Sequence, residues 1–95
     1  MGFTPLHLAA MNGHMKIVQL ILMNVDDKNP KAEALLDWTP LHLAAKNGHY
    51  NVCKLLMGNI TDKNPKNKCG QTPKTFAMEN GHLGVGLLID EMCRI

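Results

Sequence analysis

Apolar residues near the start of the chain fall in two closely spaced blocks, and each block is typical of a helix. The first block, residues 5–12, follows Thr4 and opens on Pro5. The Thr4 side chain can cap the free amides of a helix, and proline suits the first helical position because that N–H group has no partner there. Gly13 follows, and glycine adopts the left-handed conformation that ends helices without a steric penalty. The pattern therefore predicts a first helix that ends in a tight reversal.

The second block, residues 15–23, is apolar on nearly all sides. A helix of this kind needs cover from several neighbours. The first helix can cover only one side of it, so further units of the same kind are needed for the rest. This requirement predicts a stack of helix pairs.

The same segment recurs along the chain. TPLHLAAMNGH at residues 4–14 returns 35 residues later as TPLHLAAKNGH at 39–49. A weaker copy, TPKTFAMENGH, stands at 72–82, a further 33 residues along. A period of this length is typical of a solenoid. The recurrence predicts essentially no sheet and six short helices, near residues 5–12, 15–23, 40–47, 50–58, 73–80 and 83–92.

The run G-x-T-P-L-H-L-A-A-x-x-G-H, followed by an apolar helix and by D-x-N, resembles the ankyrin repeat. The resemblance covers essentially the whole chain and divides it into repeats at residues 1–35, 36–68 and 69–95. It implies an all-α fold: an ankyrin-repeat solenoid of stacked helix-turn-helix units with projecting fingers. It also implies a module that binds other proteins.

The histidine of the Thr-Pro-Leu-His segment has a structural role in ankyrin repeats, where its ring bonds to the threonine hydroxyl and to neighbouring backbone. His7 and His42 match this position, and His14, His49 and His82 follow the helix-ending glycines. No pair of histidine and cysteine has the spacing of a zinc site. We therefore expect a framework role for all five histidines, with no metal site and no cofactor.

Departures from the ankyrin pattern predict local differences between the repeats. Asp37 replaces the finger glycine of the second repeat, which predicts a reshaped first finger. Asn24, and Gly58 or Asn59, are candidates to end the second helices in the left-handed conformation.

The two ends of the repeat stack also differ in sequence. In the third repeat, Lys74 and Thr75 replace leucine and histidine, and Gly84 and Gly86 each destabilise a helix interior by about 1 kcal/mol relative to alanine. This resembles a terminal repeat that faces solvent. Repeat one is as apolar as an internal repeat, so its outer side is expected to be bare. Either the chain belongs to a longer array, or a partner covers that side.

Ankyrin repeats vary most at concave positions, which flank the finger glycine or precede the Gly-His pair. Transferred to this chain, these positions define the expected protein-binding residues: Phe3, Met11, Asn12, Leu35, Leu36, Trp38, Lys46, Asn47, Lys68, Cys69, Gln71, Glu79 and Asn80.

One part of this surface is apolar. Phe3 and Trp38 hold equivalent finger positions, so stacking is expected to bring them together, with Leu35 and Leu36 adjoining in one contiguous patch. Tryptophan is common among the residues that dominate binding energy. Two alternatives stay open: that Trp38 packs along its own finger, and that Leu35 and Leu36 cap a local turn.

Three asparagines form a predicted ladder along the first helices: Asn12, Asn47 and Asn80. They are candidates for partner contact. The alternative is a helix-ending role, because asparagine suits the last turn before a glycine.

Composition narrows the classes of function. The chain has 95 residues, 45% of them hydrophobic, and a formal charge of +2, which favours one folded domain without a field that attracts nucleic acid or membrane. Its three cysteines are an odd number, so a disulfide framework is not expected and a reducing compartment, cytoplasm or nucleus, is favoured. No apolar stretch is long enough to insert in a membrane.

The leading hypothesis is a non-catalytic module that binds a partner protein on its concave and finger face, as a monomer or as a segment of a larger chain. The alternative is a set of internal structural repeats that extend a longer solenoid without a partner contact of their own. An enzyme is not expected, because the sequence has no nucleophile motif, phosphate loop, paired carboxylates or metal cluster. Nucleic-acid binding has only a lysine-rich finger in its favour.

Overall fold

The computed structural model describes residues 2–94, with the side chain of Leu35 outside the described part. Six α-helices lie within one residue of the predicted bounds: α1 (Pro5–Met11), α2 (Met15–Asn24), α3 (Pro40–Lys46), α4 (Tyr50–Met57), α5 (Pro73–Glu79) and α6 (Leu83–Cys93). The described residues form no strand, only an isolated bridge between Ala32 and Trp38. The predicted all-α fold is confirmed.

The first helix of each repeat begins with the same cap. The side chains of Thr4, Thr39 and Thr72 each accept a hydrogen bond from the backbone N–H three residues later. The side chain at that third position, His7 in the first repeat, bonds back to the amide of the threonine. Two otherwise unpaired amides are satisfied at each helix start.

Each first helix ends at a glycine in the left-handed conformation, as predicted. The φ angles are 70° at Gly13, 74° at Gly48 and 77° at Gly81. The amide of the residue after each glycine reaches back into the helix, as His14 N does to Ala9 O at 3.0 Å. The reversal then leads directly into the second helix.

The predicted left-handed ends of the second helices are wrong. Asn24 is the last residue of α2, and Gly58 has a right-handed φ of −71°. Among the described residues other than glycine, only Leu36 and Asp37 have a positive φ, so Asn59 is not left-handed either. The asparagine side chains do the capping instead, since Asn24 Nδ2 donates to Leu20 O and Asn59 Nδ2 to Leu55 O.

The helices stack in two layers. In one layer α3 packs between α1 and α5, and in the other α4 packs between α2 and α6. The core between the layers is apolar, and its fully buried members include Leu6, Val18, Leu41, Leu56 and Ile89. Neighbouring repeats thus supply the cover that the second helices need.

The first finger differs from the second, as the replacement of its glycine by Asp37 predicted. A 3₁₀ turn at Glu33–Leu35 precedes Leu36 and Asp37, which have φ angles of 59° and 62°. The amide of Asp37 donates to Ala32 O, which closes the finger. The second finger is held by an asparagine instead, because Asn67 Oδ1 accepts from the amides of Cys69 and Gln71.

Candidate protein-binding surface

His7 joins the first repeat to the second. Its Nδ1 accepts hydrogen bonds from the Thr4 amide at 3.1 Å and from the Thr4 hydroxyl at 3.0 Å, while Nε2 donates to the carbonyl oxygen of Trp38 at 2.7 Å. The side chain is fully buried, and burial lowers its pKa below 6.5 although the bond to Trp38 opposes this shift. Both ring nitrogens are therefore occupied, and His7 is a scaffold residue.

His42 repeats this arrangement between the second and third repeats. Its Nδ1 accepts from the Thr39 amide at 3.0 Å, and Nε2 donates to Gln71 O at 2.9 Å. Burial again lowers the pKa below 6.5. The structural role that the resemblance implied for the two histidines agrees with these contacts.

Two of the histidines that follow helix-ending glycines, His49 and His82, lie against the preceding repeat. His49 Nε2 donates to Met11 O at 2.9 Å. A Cβ atom on Gly13 would lie 2.7 Å from Nδ1 of His49, and one on Gly48 would lie 2.6 Å from Nδ1 of His82. Glycine is therefore required at positions 13 and 48 for two reasons: the backbone is left-handed there, and the histidine ring of the next repeat occupies the space that a Cβ atom would take.

Trp38 packs on the repeat that follows it. Its ring centroid lies 4.4 Å from that of Phe76 and 6.2 Å from that of His42. Phe76 is buried, whereas Trp38 is half-buried and Lys46 Nζ lies 5.4 Å from the centre of its ring. One face of Trp38 thus contributes to the scaffold, and its indole and the Lys46 ammonium stand at the surface together.

Phe3 is connected to Trp38 through a histidine. The Phe3 ring stacks on His7 at a centroid distance of 5.2 Å, and His7 bonds to the Trp38 carbonyl.

Leu36 is 50% exposed, and its carbonyl accepts from the amide of Lys68 in the second finger. The side chain of Leu35 is outside the described part of the chain. We call Phe3, Leu36, Trp38 and Lys46 the finger surface.

The asparagine ladder has the helix-ending role that was its alternative. Asn12 and Asn80 donate through Nδ2 to carbonyls four residues back in their own helices, Leu8 O and Phe76 O. Asn47 Nδ2 instead donates to Met11 O in the first repeat, at 2.9 Å. All three end their helices and remain exposed.

The remaining expected residues divide by exposure. Glu79 and Cys69 are exposed, while Met11 and Gln71 are half-buried. The Oε1 atom of Gln71 accepts a hydrogen bond from Asn67 Nδ2 at 3.1 Å, which holds this side chain against its own finger. The finger surface is the part of the expected site that combines exposed apolar area with a fixed frame.

The chemistry of the described residues is limited. No cluster of three or more His, Cys, Asp or Glu side chains suited to a metal is found in residues 2–94. Burial raises the pKa of the Cys53 thiol to about 12, which makes it a poor nucleophile at neutral pH. Within the same range, no helix has the length and apolar character needed to cross a bilayer.

On the outer side of repeat one, which was expected to be bare, three exposed apolar residues were not singled out individually from the sequence. They are Leu8, Ile17 and Leu20. The sequence holds no signal that distinguishes them, because the equivalent positions in the other two repeats are apolar as well.

The fold and this surface define a class: a solenoid of helix-turn-helix repeats joined by histidine-to-carbonyl bonds. Comparison with protein families gives a match to the model described as ankyrin repeats (3 copies), over residues 1–67 and 41–95. The chain belongs to the ankyrin repeat family. A comparison with curated proteins gives no match.

Proposed function

We propose that this chain binds a partner protein through the finger surface and acts without catalysis. Ankyrin repeats are in general protein-interaction modules. The observation that carries the proposal is the half-buried indole of Trp38 paired with the Lys46 ammonium, together with the exposed side chain of Leu36 two residues earlier in the chain. Aromatic residues are enriched in protein interfaces, and tryptophan is frequent among the hot spots that dominate binding energy.

The frame beneath this surface supports binding without rearrangement. Leu36 and Trp38 are held by backbone bonds to the second finger and to His7. A preformed surface loses little conformational freedom on association.

The free Cys53, Cys69 and Cys93 favour a reducing compartment, and we place the binding in the cytoplasm or nucleus.

The test is a capture experiment with variants that leave the frame intact. Leu36→Asn removes the apolar side chain, and asparagine tolerates the left-handed backbone at this position. Lys46→Ala removes the ammonium over Trp38. After the captured protein is identified, each change is expected to weaken its affinity about 5-fold or more, which is about 1 kcal/mol.

Lys54→Ala is the matched control, because Lys54 is exposed on α4 in the other helix layer. It is expected to leave affinity unchanged. If Leu36→Asn and Lys46→Ala bind as tightly as the parent chain, the finger surface is not the binding site.

A second candidate function rests on the outer side of repeat one. Leu8, Ile17 and Leu20 are exposed there, at positions that a solenoid normally covers with another repeat. In this function the chain is a structural segment of a longer stack.

A further inference from the structure

The first repeat exposes apolar side chains at positions that the other repeats bury. Ile17 is 49% exposed, whereas its equivalents Val52 and Val85 are 2% and 3% exposed. Leu8 is 46% exposed, and its equivalents are buried. Pro5 is also exposed while Pro40 and Pro73 are buried, and Leu20 is exposed while Leu55 is half-buried and Leu88 is buried. We call Pro5, Leu8, Ile17 and Leu20 the N-face.

The equivalents of the N-face contact the preceding repeat. Phe76, the equivalent of Leu8, packs on Trp38 and His42 of the second repeat. Along the stack, α3 packs on α1 and α4 on α2. The N-face therefore continues an interface that the chain already forms twice. Beside it lies an open hollow of about 540 Å³, lined mainly by apolar side chains that include Leu6, Leu20 and Ile21.

The opposite side of the stack carries an ion pair. Lys74 Nζ lies 2.9 Å from Asp90 Oδ1, and both side chains are partly exposed. Their equivalents in the first repeat, Leu6 and Leu22, are buried, as are Leu41 and Met57 in the second. Covering this pair with another repeat would remove both charges from water. The free-energy cost of this desolvation can exceed the attraction between the two charges.

Steric differences add to this closure. Met78 stands where Ala10 and Ala45 leave room for the next helix, and it is 46% exposed. Its Sδ lies 2.6 Å from the place a Cβ on Gly86 would take, so the methionine occupies the notch that this glycine leaves. Leu83 and Leu87 remain exposed nearby. We call this side, with Lys74, Met78 and Asp90, the C-face.

The polar links between repeats are also missing at the C-face. Thr75 replaces His42, and its hydroxyl bonds to Thr72 within its own helix cap. A second copy stacked head to tail would place its N-face on the ion pair and Met78, so this copy is a poor occupant.

We propose that the N-face docks one further ankyrin-type repeat and that the C-face closes the stack, so that the array extends in one direction only. The proposal rests on the second candidate function. The docked unit would present a left-handed glycine to the exposed His14, as Gly13 does to His49. It would have a small residue where Ala10 stands and apolar residues where Leu6 and Leu22 stand.

The test joins the same repeat to either end of the full chain. In the first protein a copy of residues 36–68 precedes Met1, which keeps the repeats in phase. In the second, copies of residues 63–68 and then 36–68 follow Ile95, also in phase. The first protein is expected to melt in one transition at least about 5 °C above the parent chain, and the second is expected to show no such shift.

Two sets of variants make the result specific. Ile17→Lys is expected to leave the melting temperature of the parent chain nearly unchanged and to abolish most of the shift in the first protein, where Ile17 would be buried. In the second protein, the combination Lys74→Leu, Thr75→His, Met78→Ala and Asp90→Met is expected to restore a shift, because it recreates the open surface of the second repeat.

The possible failures are distinct. If the first protein melts no higher than the parent, no repeat docks at the N-face and the second candidate function fails. If both fusions shift equally, that function stands and the one-directional closure is wrong. If the parent chain forms a dimer that Ile17→Lys dissociates, a second copy occupies the N-face and the proposal is overturned. None of these outcomes bears on the finger surface, which the capture experiment tests.

Discussion

Nε2 of His42 donates a hydrogen bond to the carbonyl oxygen of Gln71 in the next repeat, at 2.9 Å. The same ring accepts from the Thr39 amide through Nδ1, so one side chain completes a helix cap and joins two repeats. Acceptance at Nδ1 together with donation from Nε2 requires the neutral imidazole with its proton on Nε2. Stability, stacking and protonation are thereby coupled at one residue.

Replacing His42 tests this coupling. His42→Ala leaves the Thr39 amide and the Gln71 carbonyl without their partner, and it is expected to lower the free energy of unfolding by about 1–3 kcal/mol in urea titrations. His14→Ala is the control, since His14 is exposed. Equal, small effects of both changes would show that the His42 bonds contribute nothing net.

The pH dependence of stability follows from the two buried histidines. Burial lowers the pKa of His7 and His42 in the folded chain below 6.5. Between the lowered pKa and pH 6.5, these two residues therefore bind more protons in the unfolded chain than in the folded chain. Their contribution to stability is complete above about pH 6.5 and is lost as the pH falls through the lowered folded-state pKa.

Urea midpoints measured between about pH 8 and pH 5 are expected to fall on the acidic side. His42→Gln removes one of the two histidines whose pKa is lowered, so the urea midpoint of this variant should vary less steeply with pH. A parent chain whose midpoint does not change over this range would contradict the neutral state of these rings.

Gly48 and Gly81 form a matched pair for the repeat contact. Both have left-handed φ angles, so alanine at either position is expected to destabilise the fold by about 1–2 kcal/mol. Gly48→Ala also places a methyl group against the His82 ring, whereas Gly81 faces open space. Gly48→Ala should therefore cost at least about 1 kcal/mol more in chemical denaturation. If Gly81→Ala proves the more damaging change, the His82 ring moves aside at no cost.

Trp38 is expected to contribute to folding as well as to binding. Its ring packs on Phe76 and is half-buried, so Trp38→Ala should lower stability by about 1–3 kcal/mol. Trp38→Phe, which keeps an aromatic contact, is the control and should recover most of this loss. Thermal unfolding of the two variants separates them, and an unchanged midpoint for Trp38→Ala would assign the residue to binding alone.

The three cysteines are expected to differ in reactivity. Cys53 is buried with a pKa of about 12, while Cys69 and Cys93 are exposed. A thiol reagent at mildly alkaline pH should modify Cys69 and Cys93 in the folded chain and reach Cys53 only on unfolding. Mass spectrometry of the labelled peptides gives the measurement, and rapid labelling of Cys53 in the native protein would mean that α4 opens readily.

How much of the molecule was predictable depends on the range of the interactions involved. Helix starts at Thr4 and helix ends at Gly13 depend on contacts within a few residues, which local sequence specifies. The ends of the second helices were predicted wrongly because Asn24 and Asn59 satisfy carbonyls with their side chains, which makes a left-handed residue unnecessary. The finger surface was predicted in composition but not in arrangement, since Trp38 turned partly toward Phe76.

The sequence by itself determined the repeat period, the helix pairs and the family. All three follow from a pattern that fits within one unit of about 33 residues and recurs from one unit to the next. Only the tertiary structure decided which apolar side chains are covered. Leu8 and Leu43 are the same residue in the same motif, yet Leu8 is exposed and Leu43 is buried. The difference arises because burial in a solenoid depends on the preceding repeat, which the described residues supply for Leu43 and not for Leu8.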